Sequence, residues 1–248
     1  MIKLLTKKLL SLAGLQIVKT PHKGIDVCQD IMDFLPGLDI KVIFDVGANI
    51  GQSAKLYRFW FPDSGIYCFE PSKRNFRFLK DNVNTLNNVH SYNIALGAEV
   101  GVGIMSETEG LGVMDKLTKI GSVDGRAENS DLQINIETID TFCQKESVER
   151  INYLKIDTEG HDLEVLMGAS MMLKEELIDV LEVEVGMNPG NDWHVPFEKI
   201  KDFLGKFRYY PFGFYDQVHE WPENKNILRR ANVVFIAEKI SNRNGPGK

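Results

Sequence analysis

The chain has 248 residues, 43% of them hydrophobic, with 29 Lys and Arg residues against 35 Asp and Glu residues. This length and composition can bury a substantial core and suit one α/β domain with an appendage better than two full domains. The formal net charge of −6 argues against an extended basic surface for nucleic acid, although a local basic patch is compatible with it. A small-molecule or glycan partner is favoured instead.

Two features bear on the location of the protein. The first twenty residues place leucines and lysines at helical spacing, but their apolar runs are too short for a membrane span or a secretory signal. We expect residues 1–40 to form an N-terminal helical extension that packs on protein, with weak contact to an anionic membrane surface as the alternative. Three cysteines without a CxxC motif indicate buried thiols and a cytoplasmic location: Cys28, Cys68 and Cys143.

Short β-branched runs alternate with helical patterns from residue 41 onward. Strands are predicted at 41–46, 66–70, 88–94, 132–137, 151–156, 179–185, 209–215 and 232–237. Helices are predicted at 53–61, 73–84, 139–146, 163–173 and 197–207. This alternation predicts a parallel sheet with helices on both faces, in one domain over residues 41–240 followed by a flexible tail at 241–248.

Residues 106–131 interrupt this pattern. They are rich in Glu, Ser, Gly and Asp and predict a long polar loop after a glycine-rich turn and short strand at 95–105. Loops of this length inside compact domains are commonly lids or binding loops, so this segment is a candidate substrate cover. A mobile insertion without a function fits the same composition.

The first strand ends in the sequence DVGANIG, which has the composition of a ligand-binding turn. Ligands of open α/β sheets bind beyond the carboxyl ends of the strands. Gly47 and Gly51 let the backbone approach a ligand, and Ser53 adds a hydroxyl near the start of a helix whose free N–H groups attract a carboxylate. Asp45 is placed to attract an ammonium group, directly or through water.

Glu70 lies 19 residues beyond Gly51, at the end of the second strand. A carboxylate there can accept hydrogen bonds from both hydroxyls of a ribose. A dinucleotide-binding GxGxxG turn also places an acid at this spacing, but Asn49 stands where that motif needs a glycine. Asn tolerates a left-handed backbone. Together these residues favour S-adenosylmethionine, which carries both a ribose and an amino-acid end.

Five blocks of the sequence resemble the FkbM family of methyltransferases. They are VIFDVGANIGQSA at 42–54, YCFEPS at 67–72, NIALG at 93–97, IETIDTF at 136–142 and LKIDTEGHDLEVLMGA at 154–169. The resemblance implies a Rossmann-like class I methyltransferase fold, with a seven-stranded, mostly parallel sheet and an antiparallel last strand. It also implies S-adenosylmethionine as cofactor, with Ala95 in the cofactor site, and a hydroxyl acceptor on a saccharide or related metabolite.

Acidic residues follow the strand at 151–156. Transfer to a hydroxyl requires that the acceptor be positioned and its proton removed. We predict Glu159 as the base, His161 as the second candidate and Asp157 as a further catalytic residue. Helix capping and compensation of the helix dipole are the structural alternative for Asp157 and Glu159.

The next strand and two later loops supply candidate substrate-binding residues. Glu184 alternates with apolar neighbours in a mostly buried strand, which is costly without a partner. His194 and Tyr215 lie in or beside loops with aromatic and polar residues, a combination that suits sugar rings. Asp157 with Glu184 is the candidate pair for a divalent metal, which is possible but not expected.

Two other classes of function compete with the methyltransferase. One is a nicotinamide-dependent Rossmann oxidoreductase, which the missing glycine at Asn49 disfavours. The other is a non-catalytic protein that binds S-adenosylmethionine or acts as a scaffold, and the acids at 157, 159 and 184 weigh against it.

Overall fold

The computed structural model describes residues 23–106, 116–120, 131–220 and 225–242. The helices are α1 (Val27–Phe34), α2 (Gln52–Trp60), α3 (Lys73–Val83), α4 (Ile139–Glu146), α5 (Asp162–Met167), α6 (Ser170–Lys174), α7 (Phe197–Gly205) and α8 (Glu238–Ser241). The strands are β1 (Val42–Val46), β2 (Gly65–Phe69), β3 (Val89–Tyr92), β4 (Ala95–Leu96), β5 (Gly101–Ser106), β6 (Lys116–Ile120), β7 (Asp131–Glu137), β8 (Ile151–Ile156), β9 (Ile178–Gly186), β10 (Tyr209–Glu220) and β11 (Lys225–Ala237).

Two sequence predictions concern the ends of the chain. The membrane-facing interpretation of the first twenty residues, and most of the predicted tail, lie outside the described residues. Within the described part, no helix combines the length and apolarity needed to cross a bilayer.

A seven-stranded sheet in the order β3-β2-β1-β8-β9-β11-β10 forms the centre of the fold. The pairs from β3 to β9 are parallel, whereas β11 runs antiparallel to both β9 and β10. All nine residues of β9 are buried, as expected for a strand covered on both faces. The predicted fold class is therefore confirmed, including the antiparallel last strand, which lies between β9 and β10.

A second sheet, in the order β4-β7-β5-β6, was not predicted. Strand β6 falls inside residues 106–131, so the prediction of a continuous loop there was wrong: this five-residue stretch pairs antiparallel with β5. Two lysines among its five residues conceal the strand pattern in the sequence. The sheet has its own apolar cluster, formed by Ala95, Met105, Ile134 and Ile136.

The helix predicted at 163–173 is two helices, α5 and α6, that break around Gly168. A Cβ on Gly168 would lie 2.0 Å from the carbonyl oxygen of Gly97, so only glycine permits this close approach. Asp140 accepts hydrogen bonds from the backbone N–H groups of Met171 (2.8 Å) and Met172 (3.1 Å) in the new helix. These two contacts explain the break, which helical periodicity alone does not reveal.

A buried carboxylate of helix α1 forms a hydrogen bond with strand β10. Cys28 and Ile31 of α1 belong to the main apolar core. Asp30, which is 1% exposed, accepts hydrogen bonds from Gly24 N (2.6 Å) and from the Tyr215 hydroxyl of β10 (2.7 Å). Tyr215 is thus a buried structural residue. The other two cysteines, Cys68 and Cys143, are also buried and free, as predicted.

Replacing Tyr215 by Phe removes this hydroxyl while keeping the ring. Because a buried hydrogen bond to a carboxylate is lost, the free energy of unfolding should fall by about 1–2 kcal/mol. Denaturant unfolding of the two proteins measures the difference. The exposed Tyr210→Phe variant is the matched control and should unfold like the wild type; equal stability of all three proteins would contradict the structural role of Tyr215.

Candidate active site

A cavity of about 1010 Å³ opens at the carboxyl ends of β1, β2, β8 and β9. This is the edge of the sheet where open α/β folds bind their ligands. The small sheet contributes Met105 and Ile134 to one wall, while β10 and β11 contribute to the opposite side. Three parts of the cavity wall are described in turn: the turn after β1, the acidic turn after β8, and the loop after β9.

The turn after β1 requires glycine for reasons that the sequence does not show. Gly47 has φ +81°, and a Cβ there would lie 1.9 Å from the carbonyl oxygen of Asp157. Gly51 has φ +88°, and its Cβ would lie 2.9 Å from Leu79 Cδ1. Both glycines therefore accommodate neighbouring protein atoms. Gly47 lines the cavity, whereas Gly51 starts α2 and does not line it.

Glu70 joins the turn after β1 to the turn after β2. Its Oε2 accepts a hydrogen bond from Asn49 N and its Oε1 one from Ser72 N, both at 2.8 Å. The side chain is 5% exposed and still lines the cavity. An ionised carboxylate offers about four acceptor sites, so each oxygen can accept more than one hydrogen bond. Asn49 has φ +49°, as the sequence suggested, and its Oδ1 is buried without a hydrogen-bond partner in the described chain.

A mostly buried lysine in the cavity wall lies between two carboxylates. Lys155 Nζ is 3.0 Å from Asp157 Oδ2 and 4.0 Å from Asp45 Oδ1. Burial alone would lower the pKa of Lys155, but Asp157 and Asp45 together raise it. Burial would also raise the pKa of Asp157, yet the Lys155 ammonium lowers it. Lys155 and Asp157 line the cavity as an ion pair, and the role of the lysine was not predicted from the sequence.

Asp45 lies behind the cavity wall. It is fully buried and does not line the cavity, so its position gives no support to direct contact with an ammonium group, and contact through water stays a prediction. Burial raises the pKa of Asp45 to about 6, and neither carboxylate oxygen has a hydrogen-bond partner in the described part of the chain. The reason is strand alternation: Asp45 is the fourth residue of β1 and points into the sheet's packing layer toward Lys155.

The acidic turn after β8 presents Glu159 to the cavity. Glu159 and Gly160 have φ +52° and +101°. Asp162 accepts hydrogen bonds from Thr158 N (3.1 Å) and Gly160 N (3.3 Å), and these bonds hold the turn. These bonds stabilise the turn before α5, whose N-cap residue, His161, makes no side-chain capping bond. His161 precedes α5 and also lines the cavity.

Glu159 has an unusual environment for a carboxyl group. Its Oε2 is buried without a hydrogen-bond partner among the described residues. Burial, followed by the charges of Asp157 and Glu184, raises the pKa of Glu159 to about 7. Such a group changes protonation near neutral pH, as a general base must.

The loop after β9 brings His194 against Glu159. His194 Nε2 lies 2.8 Å from Glu184 Oε2 and 3.9 Å from Glu159 Oε2. The other ring nitrogen contacts the Asn191 amide at 2.9 Å. Both ring nitrogens of His194 are thus engaged, and Arg230 binds the second oxygen of Glu184. A Cβ on Gly160 would lie 2.5 Å from the Trp193 carbonyl oxygen, so this loop rests directly on the acidic turn.

These contacts revise the candidate metal pair. The described donor atoms that converge, all within 4.8 Å of one another, belong to Glu159, Glu184 and His194, whereas Asp157 is bound by Lys155. Cationic side chains already accompany Glu184 and Asp157. Because a dication would have to compete with them, we assign no metal ion to the site.

Most predicted site residues meet in the cavity, and three do not. The residues that line it are Gly47, Asn49, Ser53, Glu70, Ala95, Asp157, Glu159, His161, Glu184 and His194. Those that do not are Asp45, Gly51 and Tyr215. Tyr215 was predicted to bind substrate, but its hydroxyl reaches Asp30 on the other side of β10, so its position gives that prediction no support. The lining residues that the sequence missed include Lys155, Asp216, Gln217, Arg230 and Asn232.

The strand order and the ligand-binding turns define the fold and site of a class I methyltransferase. The sequence matches the family described as "Methyltransferase FkbM domain" over residues 45–212, more than half of the chain. The protein therefore belongs to the FkbM methyltransferase family. This assignment replaces the oxidoreductase alternative, and the cofactor is S-adenosylmethionine.

Curated relatives and a solved structure are similar to the chain. Methyltransferase 1 of Beauveria bassiana is 28% identical over 68% of this chain and 74% of its own. The 2-O-methyltransferase NoeI of Sinorhizobium fredii is 23% identical over 77% of this chain and 81% of its own length. The hexuronic acid methyltransferase AglP of Haloferax volcanii is 25% identical over 60% of this chain and 58% of its own length. An rRNA methylase structure from Streptococcus thermophilus aligns with a TM-score of 0.48 and 10% identity, over 89% of this chain and 98% of that one.

The residues present fit S-adenosylmethionine. Asn49 offers a buried Oδ1 without a hydrogen-bond partner in the described chain, and the carboxylate of Glu70, which accepts a hydrogen bond from Asn49 N, lines the cavity beside it. Met105, Ile134 and Ala95 supply an apolar wall suited to a purine ring. The site thus offers acceptors for hydroxyls next to apolar surface for a base.

Replacing Glu70 by Ala should weaken binding of S-adenosylmethionine at least about tenfold, or ~1.4 kcal/mol. The change removes the hydroxyl acceptor and also frees the N–H groups of Asn49 and Ser72. Calorimetric titration measures the dissociation constant. The exposed Glu99→Ala variant is the control for loss of an acid, and equal affinity of the Glu70→Ala variant and wild type would refute the ribose assignment.

Proposed function

We propose that the protein transfers a methyl group from S-adenosylmethionine to a hydroxyl oxygen of a saccharide, with Glu159 as the general base. The observation that carries the proposal is the Glu159 carboxylate, which lines the cavity with a buried oxygen that lacks a hydrogen-bond partner among the described residues and a pKa raised to about 7. The names of NoeI and AglP, which specify 2-O-methyl transfer and a hexuronic acid, support a sugar acceptor.

The cavity wall opposite the cofactor turn suits a sugar. Trp193, which is 41% exposed, lines it beside the polar side chains of Asn232 and Gln217. An aromatic face next to hydrogen-bonding groups is a common way to bind a sugar ring. The acceptor hydroxyl would then lie in the part of the cavity that also holds Glu159 and His161.

Each acidic residue has a separate part in this mechanism. When bound, S-adenosylmethionine supplies an electrophilic methyl group for an in-line displacement. Asp157, kept ionised by Lys155, attracts the ammonium group of the cofactor. Glu159 accepts the proton of the acceptor hydroxyl, which makes the oxygen a better nucleophile. His194 and Glu184 bind each other, so we assign them to positioning Glu159 in place of direct substrate contact.

A methyl-transfer screen tests the proposed function. The protein is incubated with labelled S-adenosylmethionine and a panel of neutral glycans, uronic acid glycosides and sugar nucleotides, with an RNA and a peptide mixture as other acceptor classes. We expect label in a saccharide, as a methyl ether. Label only in RNA or peptide, or tight cofactor binding without transfer to any acceptor, would overturn the saccharide proposal.

The reaction should depend on pH through Glu159. Its raised pKa means that the carboxylate, the form that accepts a proton, is lost as the pH falls through about 7. The kcat of the wild type should therefore rise with pH and level off above this value. The Glu159→Gln variant should lose about 10²- to 10⁴-fold in kcat and should not show this rise.

The control for this profile is His161→Gln, which tests the second candidate base. If His161 were the base, its variant would lose the pH-dependent rise and the Glu159→Gln variant would keep it. Cofactor affinity, measured separately, should change little in either protein.

A further inference from the structure

Strand β10 carries a bulge at the edge of the cavity. Tyr215 pairs with Asn232 of β11 and Val218 pairs with Arg230, so two residues of β10, Asp216 and Gln217, face one residue of β11. Asp216 has φ +43°, a left-handed backbone that non-glycine residues seldom adopt. Bulges bend a strand and redirect side chains, and they are common next to active sites.

The bulge determines which side chains of β10 reach the cavity. Tyr215 is buried and points to Asp30, whereas Asp216, Gln217 and Val218 all line the cavity. Without the extra residue, strand alternation would send Asp216 and Gln217 to opposite faces of the sheet. Left-handed backbone at a non-glycine residue costs free energy, and such strain concentrates at functional sites.

The bulge lies on the side of the cavity where the sugar is proposed to bind. Its neighbours on β11, Arg230 and Asn232, contact Glu184 and Glu182 of β9 through their side chains. The charges of Arg230 and Glu184 are thus engaged with each other. By contrast, Asp216 and Gln217 are exposed, and their side chains make no hydrogen bond or ion pair in the part of the chain that is described.

We propose that Asp216 and Gln217 are the residues that recognise the methyl acceptor, by binding neighbouring hydroxyl groups of a neutral sugar ring. The inference rests on the proposed saccharide methyl transfer and identifies its specificity-determining residues. A carboxylate accepts hydrogen bonds from two adjacent hydroxyls, and a carboxamide both donates and accepts. A carboxylate-bearing sugar in the same position would be repelled by Asp216.

Steady-state kinetics with the saccharide that accepts most label in the screen tests this inference. The Asp216→Gly variant is decisive, because glycine adopts the left-handed backbone freely and removes only the carboxylate. We expect the KM for the saccharide to rise at least about tenfold in Asp216→Gly and Gln217→Ala, with a smaller change in kcat. The melting temperature of Asp216→Gly should equal or exceed that of the wild type, and cofactor affinity should not change.

The matched control is His219→Gln, on the same strand, exposed and outside the cavity lining. It should keep the wild-type KM. If Asp216→Gly also keeps that KM, the residue serves only the bend of the strand and the inference is overturned while methyl transfer stands. If no saccharide accepts label from the wild type, the proposed function fails first, and the inference fails with it.

Discussion

The site depends on the close contact between two turns that follow adjacent parallel strands. Strands β1 and β8 pair in register, so the turn after each leaves the sheet at the same edge. The backbone of Gly47 then passes so near the carbonyl oxygen of Asp157 that no side chain fits between them. This contact joins the cofactor turn to the acidic turn. A larger residue at position 47 would push the two turns apart, and this would disrupt the active site even where the side chain touched no ligand.

Charge compensation is the second constraint on this arrangement. Asp45, Asp157 and Glu182 approach one another beneath the cavity, and Lys155 is the cation that they share. Because the lysine is itself buried, each partner depends on the others to remain ionised. The same principle applies on the far side of the cavity, where Arg230 is the cation that accompanies Glu184. Glu159 lies between these two groups, and burial, followed by the charges of Asp157 and Glu184, raises the pKa of its carboxyl group to about 7.

The sequence predicted the parts of the structure that depend on local patterns. Alternating strands and helices predicted the main sheet, and Gly47, Glu70 and Glu159, each predicted beyond the end of a strand, line one cavity.

The predictions that failed depend on contacts between residues that are far apart in the chain. Asp45 and Lys155 are ordinary strand residues until the pairing of β1 with β8 brings them together. The break at Gly168 depends on Gly97, about seventy residues away in the chain. Tyr215 was preferred over its neighbours because aromatic residues suit sugars, but a one-residue bulge, invisible in the pattern, decides which of them faces the cavity.

The residues assigned to methyl transfer and those proposed to recognise the acceptor lie on different parts of the sheet. The cofactor turn and the acidic turn lie on the parallel strands at the centre of the sheet, where pairing on both sides fixes their positions. The polar residues proposed to contact the acceptor lie on the antiparallel pair β10–β11 at the edge of the sheet. A bulge is tolerated there because none of the described strands pairs with the outer side of β10. Changes in the length or register of this outer pair can alter the acceptor wall without moving Glu159 or Glu70. An edge strand is therefore the part of this fold where acceptor preference can change while the methyl-transfer machinery stays the same.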